Sequence, residues 1–170
     1  MMTDCGYTQY LKELYEKMSS RGIFLTVRSR DGKVNTMTLG WASIGWQWSR
    51  PVATVLVRES RYTHALMENA ESFTLSVPKD GGLDGALNLC GTKSGRDMDK
   101  FAACGITALP GRTVDSPVIG EAWLHYECRI VGSSLVTKDD YGTELYDRVY
   151  ADNGDMHQLY FGQITACYTL

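Results

Sequence analysis

The stretch "IFLTVRSRDGKVNTMTLGW" (Ile23–Trp41) carries the signal that separates the possible fold classes. Two runs of strand composition, IFLTVR and VNTMTL, flank the pair Asp31-Gly32. Asp-Gly supplies the left-handed backbone of a tight hairpin, so the two runs are expected to pair antiparallel. A doubly wound fold would place a helix between them. The second run is odd for a core strand. Asn35, Thr36 and Thr38 stand where Val, Ile and Leu would serve, and Gly40 and Trp41 follow. Amide and hydroxyl groups can meet the polar edge of a heteroaromatic ring, Gly40 permits close approach to the backbone, and Trp41 offers a flat apolar partner. A solvent-facing edge strand with Trp41 capping the core has the same pattern, and this segment alone leaves both readings open.

The remaining chain supports a mainly β domain. A length of 170 residues suits one domain with a sizeable core, and 44% hydrophobic with 22% charged residues is the usual globular mix. A net charge of -3 offers no reservoir of positive charge for nucleic acid. No apolar run approaches the roughly 18 residues of a membrane span, and the first residues lack the pattern of a secretory signal, so a cytoplasmic location is expected. The five cysteines include no CxxC, and free, mostly buried thiols are expected; Cys5 is the one placed to be reactive.

Leu11, Leu14, Tyr15 and Met18 recur at helical spacing, which predicts a helix over residues 7–20, ended by Gly22. After Trp41, "ASIGWQWSRPVATVLV" reads as strand, its apolar part being PVATVLVR. "YTHALMENA" is a short helix and "SFTLSVP" a strand stopped by Pro78. Short helices are expected over 83–89 and 97–103. Alternation in "AWLHYECRIV" turns Leu124, Tyr126, Cys128 and Ile130 inward and Glu127 and Arg129 outward. Residues 132–156 form a long polar insertion or hairpin, with short strands expected around "ELYDRVYA", before the last strand, "MHQLYFGQITACYTL". Six or seven strands, often hairpin-linked, with three or four short helices fit an antiparallel β-barrel with helices at its ends.

Several chemistries have no support. The three histidines, His64, His125 and His157, show neither HExxH spacing nor a GxSxG serine, and no GxGxxG or GxxxxGK[ST] is present. Two further segments point to an anion. In "RESRYTHALMENA", Arg58 and Arg61 precede Tyr62 and Thr63 at a helix start, where amides, a hydroxyl and guanidinium groups can gather on a phosphate. Capping by Ser60 or Thr63 with solvated arginines explains the segment equally. In "KSGRDMDKF", Lys93, Ser94, Arg96 and Lys100 can add hydrogen-bonding and cationic groups, or Lys100 can pair with Asp97 and Asp99. Together the three segments ask for a ligand with a flat polar-edged ring, a flexible middle and a terminal phosphate. Flavin mononucleotide (FMN) has that shape.

The ordered pieces "NTMTLGW", "RPVATVLVRESRYTHALMENAESFTLSVP", "SGRDMDKFAACGI", "SPVIGEAWLHYECRIV" and "GDMHQLYFGQI" resemble the flavin reductase-like, FMN-binding split barrels, close to flavoredoxin. The resemblance covers about residues 20–168. It implies a six-stranded antiparallel, Greek-key-like split barrel spanning the single domain, and a homodimer with FMN near the subunit interface. It also implies roles for particular residues. Asn35, Thr36, Met37, Thr38 and Trp41 would lie around the ring and ribityl chain; Arg61 and Thr63, with Arg58 and Tyr62, at the phosphate; Lys100 and Ser94 at a further cofactor contact; and His157 near the flavin. Two departures stand out. The segment before His157 is longer than usual, and at the C-terminal end, where many members continue, Tyr168 is the available substitute for a site group. The expected activity is oxidoreduction, with NAD(P)H or a redox protein as electron donor and no side chain as nucleophile or general acid. The rival expectation is a flavin- or ligand-binding barrel without turnover.

Overall fold

The computed structural model describes residues 2–152 and 154–170. A short strand, β1 (Thr3–Asp4), precedes α1 (Leu11–Ser20), whose Leu14 and Met18 are buried. Gly22, at φ +88°, ends the helix; a Cβ there would lie 2.5 Å from Thr38 Cγ2. The hairpin β2 (Ile23–Arg28) and β3 (Val34–Leu39) follows, turning at Gly32 with φ +84°, as the Asp-Gly pair requires.

The next stretch is two strands instead of one. β4 (Ala42–Gln47) and β5 (Arg50–Arg58) form a hairpin whose two turn residues, Trp48 and Ser49, have φ of 49° and 57°. The turn thus takes the primed geometry that suits strand twist, but with residues that rarely adopt it. Then come α2 (Tyr62–Met67), β6 (Ser72–Val77), a 3-10 turn (Gly81–Leu83), α3 (Asp84–Thr92) and α4 (Lys100–Cys104). Asp99 caps α4 by accepting from the Phe101 and Ala102 amides. A small sheet of β7 (Ala108–Leu109) and β8 (Val118–Ile119) leads to the long pair β9 (Leu124–Leu135) and β10 (His157–Thr169).

Among the described residues the main sheet is antiparallel and eight-stranded, in the order β3-β2-β6-β9-β10-β5-β4, with β1 added on β10. It is not a closed six-stranded barrel: β3 and β4 end the path without pairing to each other. Only Gly40 and Trp41 join them in the chain.

Both faces of the sheet are covered at β2 and β6. Ile23, Leu25 and Val27 of β2 and Phe73, Leu75 and Val77 of β6 enter the main core with Leu14, Tyr126 and Cys128. The intervening hydroxyls do not reach water. Thr26 donates to the Thr36 hydroxyl, Thr74 donates to Pro117 O at 2.6 Å, Ser72 Oγ pairs with Ser116 Oγ, and Ser76 Oγ pairs with His125 Nδ1. A second apolar cluster, built by Phe24, Leu87, Cys90 and Ile119, completes this far side.

Two expectations fail in β9 and beyond. Glu127 is buried, because the loop before β8 folds over it. Its carboxylate accepts from the Arg112 and Thr113 amides and from the Thr113 and Tyr168 hydroxyls. Burial pushes the Glu127 pKa up, but these donors outweigh it and leave the group below its ordinary value. The segment "ELYDRVYA" is helical: α5 (Thr143–Val149) replaces the expected strands. Tyr146 and Tyr150 fall four apart on one helical side, with ring centroids 6.1 Å apart, a period that the eye can take for alternation.

At Gly162 on β10, an added Cβ would lie 2.5 Å from Phe73 Cζ and 2.7 Å from Cys128 Cβ, inside the core. Gly162→Ala is expected to cost about 1–3 kcal/mol by overpacking. Gly142→Ala, where nothing lies within 4 Å, should stay within about 0.5 kcal/mol of the parent. Urea unfolding midpoints check both.

Candidate functional site

The face of β3 that carries Asn35, Met37 and Leu39 meets the end of β5, the start of α2 and the start of β10. Two cavities open there. The first, about 170 Å³, is lined by Met37, Thr38, Leu39, Gly40, Trp41, Leu56, Arg58, Arg61 and His157. The second, about 150 Å³, is lined by Asn35, Ser60, Tyr62, Thr63, the loop 92–96 and Lys100, and it shares Met37 and Arg61 with the first. Each is smaller than the roughly 300 Å³ at which drug-sized ligand sites begin. A ligand of that size must therefore extend across both, past Met37 and Arg61.

The first cavity is aromatic. The Trp41 ring stands 4.9 Å from that of His157, tilted by 41°. His157 is buried, and its Nδ1 shares a 2.8 Å hydrogen bond with Tyr150 Oη. Burial first, then the Arg58 and Arg61 cations, lower the His157 pKa to about 4, so its imidazole is neutral at pH 7. Arg58 belongs to this end and not to the second cavity. Its guanidinium donates to Asp155 O at 2.7 Å and to Val149 O, and lies 5.6 Å from the Tyr150 ring centre.

The second cavity is polar and cationic. Arg61 sits at the N-cap of α2 and donates to Gly91 O at 2.9 Å. Neither Ser60 nor Thr63 caps the helix. Ser60 instead donates through its amide and hydroxyl to the Asp155 carboxylate, while Thr63 Oγ1 accepts from Asn35 Nδ2 at 2.8 Å. Tyr62 lies under the Arg96 guanidinium at 5.1 Å, and Ser94 Oγ accepts from the Arg96 amide. Gly95 passes so near the strand that a Cβ would fall 2.0 Å from Asn35 Oδ1. Lys100 is buried, and its ammonium donates to Thr36 O at 3.1 Å and Cys90 O at 2.9 Å instead of pairing with Asp97 or Asp99. Burial lowers its pKa.

Of the residues singled out in the sequence, Asn35, Met37, Thr38, Trp41, Arg58, Arg61, Tyr62, Thr63, Ser94, Lys100 and His157 all line one cavity or the other. Thr36 does not. Its hydroxyl turns to the far side of β3 and donates to Leu25 O, leaving only its carbonyl to serve the site through Lys100. Thr38 Oγ1 likewise donates to Leu87 O, on α3. Tyr168 is no substitute for a site group, since it is buried beside Glu127. Tyr150 lies in the segment that reads as strand, and Leu56 carries no polar signal.

The model of the flavin reductase like domain matches residues 15–170. An uncharacterised protein of Archaeoglobus fulgidus is 31% identical over 99 residues, which cover 58% of this chain and 55% of that protein's own length. Among solved structures, flavoredoxin from Methanosarcina acetivorans superposes with a TM-score of 0.67 at 25% identity, over 88% of this chain and 69% of that one. An FMN-binding protein from Thermus thermophilus, solved with bound 1-cyclohex-2-enone, gives 0.63 at 25% identity, over 85% and 67%.

His157 and His125, both lowered to about 4 chiefly by burial, should remain neutral at pH 5.5 in histidine-resolved NMR titrations. Unfolded histidine takes up its proton near pH 6.5, so between about 6.5 and 4 the unfolded chain binds more protons than the folded one. Stability should therefore fall as the pH drops through that window.

Proposed function

Because the chain belongs to the flavin reductase-like family, we propose that it is an FMN-binding oxidoreductase, moving electrons between NAD(P)H or a redox partner and the bound flavin. The observation that carries this reading is the meeting of the two cavities at Met37 and Arg61, one aromatic, the other cationic. Their chemistry fits the two ends of FMN. When bound, FMN supplies the electron-transfer chemistry at its ring, and the protein supplies position, polarity and access.

Trp41, Met37 and Leu56 would give the ring apolar contact, and neutral His157 would offer it hydrogen bonding without a charge. Asn35 and the main chain through Thr38 would meet the polar ring edge and the ribityl chain. Arg61, Thr63, Ser94 and the 92–96 loop would hold the phosphate by charge-assisted and hydroxyl hydrogen bonds. Lys100 would act from behind, fixing the strand that presents Asn35 and Met37. None of these side chains is required as nucleophile or general acid.

The reading includes a cytoplasmic homodimer, with the subunit contact on the sheet face beside the first cavity. Exposed Trp46, Trp48, Val131 and Leu135 supply apolar surface on β4, its turn and β9, and Trp48 packs edge-on to Phe161 at 5.4 Å. Five free thiols suit a reducing compartment.

Purified protein should be yellow, or become so with FMN, and anaerobic mixing with NADH or NADPH should bleach it. Colour that neither nicotinamide nor a redox protein changes would instead mark a binding module without turnover. Arg61→Ala should weaken FMN by about 2 kcal/mol, roughly 30-fold, for a lost charge-assisted contact, and Thr63→Ala should add to the loss; flavin fluorescence titration reads both. Unchanged affinity would place the phosphate elsewhere. Gel filtration should give a dimer, and a monomer that retains FMN would refute the interface.

A further inference from the structure

At the opposite end of β10, far along the strand from His157, two thiols face each other. β1 pairs antiparallel with β10 through Thr3 with Thr169 and Asp4 with Tyr168, and the Cys5 amide donates to Cys167 O at 3.0 Å. The two Sγ atoms are 3.2 Å apart, although the residues are 162 positions apart in sequence. Facing residues of an antiparallel pair have Cα atoms about 4.5–5.5 Å apart. That lies inside the window of roughly 4.4–6.8 Å that a disulfide tolerates. The sulfurs need to approach by only about 1 Å to reach bonding distance, which side-chain rotation supplies.

We propose that Cys5 and Cys167 form a reversible disulfide that fastens β1 to β10 when the protein meets a low-molecular-weight disulfide such as oxidised glutathione. The Cys5 thiolate attacks one sulfur of the oxidant, releasing the first glutathione and leaving a mixed disulfide. Cys167 Sγ then attacks Cys5 Sγ, and the second glutathione departs with the Cys167 proton. Two cysteine thiols are oxidised and one disulfide is reduced to two thiols, so electrons and protons balance.

The order of attack follows from exposure. Cys5 is partly exposed, whereas Cys167 is buried, and burial followed by the neighbouring Cys5 raises its thiol well above the ordinary range. The other close pair shares this exposure pattern, with Cys104 partly exposed and Cys90 buried, but it joins two helices instead of facing strands and its sulfurs lie farther apart. Cys90 and Cys104 have sulfurs 4.0 Å apart, and burial pushes the Cys90 thiol up to about 12. Cys128 lies in the main core.

The bond would secure more than a short strand. Asp4 pairs with Arg112, whose guanidinium lies 4.8 Å over the Tyr168 ring and whose amide donates to the buried Glu127. Fixing β1 therefore fixes the loop that satisfies this buried carboxylate. Closing so long a loop restricts the unfolded chain strongly, and the thermal midpoint should rise on the order of 10 °C.

The test treats the full chain with oxidised glutathione, alkylates the remaining thiols and maps the peptides by mass spectrometry beside a melting curve. The expected result is a Cys5–Cys167 cross-linked peptide with three thiols alkylated, a raised midpoint, and reversal of both by dithiothreitol. Cys5→Ser should melt like the reduced parent and show no shift on oxidation. A stable glutathione adduct on Cys5, a bond between another pair, an unchanged midpoint in the cross-linked protein, or a shift in Cys5→Ser would each overturn the proposal.

Discussion

The ammonium of Lys100 is held by two main-chain carbonyls, Thr36 O on β3 and Cys90 O on α3. A buried cation without a carboxylate is costly, and its pKa is lowered accordingly. The contact nevertheless fixes the spacing between strand and helix. Those two elements form opposing walls of the second cavity, so the position of Asn35, and through it that of Thr63, depends on this one side chain. The 92–96 loop, which connects the end of α3 to the approach of α4, inherits the same constraint. The close passage of Gly95 by Asn35 is its visible result.

The aromatic end of the site, at the first cavity, is organised differently, by the segment that precedes His157. Arg58 gathers that segment by donating to Val149 O and Asp155 O, and the Asp155 carboxylate in turn accepts from Ser60 at the approach to α2. Tyr150 descends from the end of α5 onto His157 and links it to Tyr141 through a 3.0 Å hydroxyl contact. The histidine is thus dry and neutral for structural reasons. An extension of the chain that looks peripheral in sequence supplies the inner surroundings of the first cavity.

Much of this is legible in the sequence. Asp31-Gly32 marks a hairpin because its conformation is nearly obligatory, and the polar β3 with the two cationic segments does converge on one place. What resisted reading has physical causes. The Trp48-Ser49 turn carries positive φ on residues without that preference, so its hairpin left no sign. Glu127 alternates like a surface residue, yet a loop closes over it with four donors. The hydroxyls of β2, β3 and β6 follow the same rule: strand periodicity tells which side a residue faces, not whether that side is wet. In α5, tyrosines four apart imitated a strand. Thr36 was placed at the site by its neighbours, while its own side chain points to the other face.

The main sheet stops short of closure between β3 and β4, and the first cavity lies where Gly40 and Trp41 bridge that gap. Elsewhere around the sheet, widening the wall would require breaking rungs between strands. Here a covalent link of two residues replaces those rungs, with Trp41 O held by the Leu56 amide, so the freedom that remains is torsion at Gly40 and the swing of one indole. The molecule therefore has a compliant seam in an otherwise stiff wall, and it lies beside the first cavity.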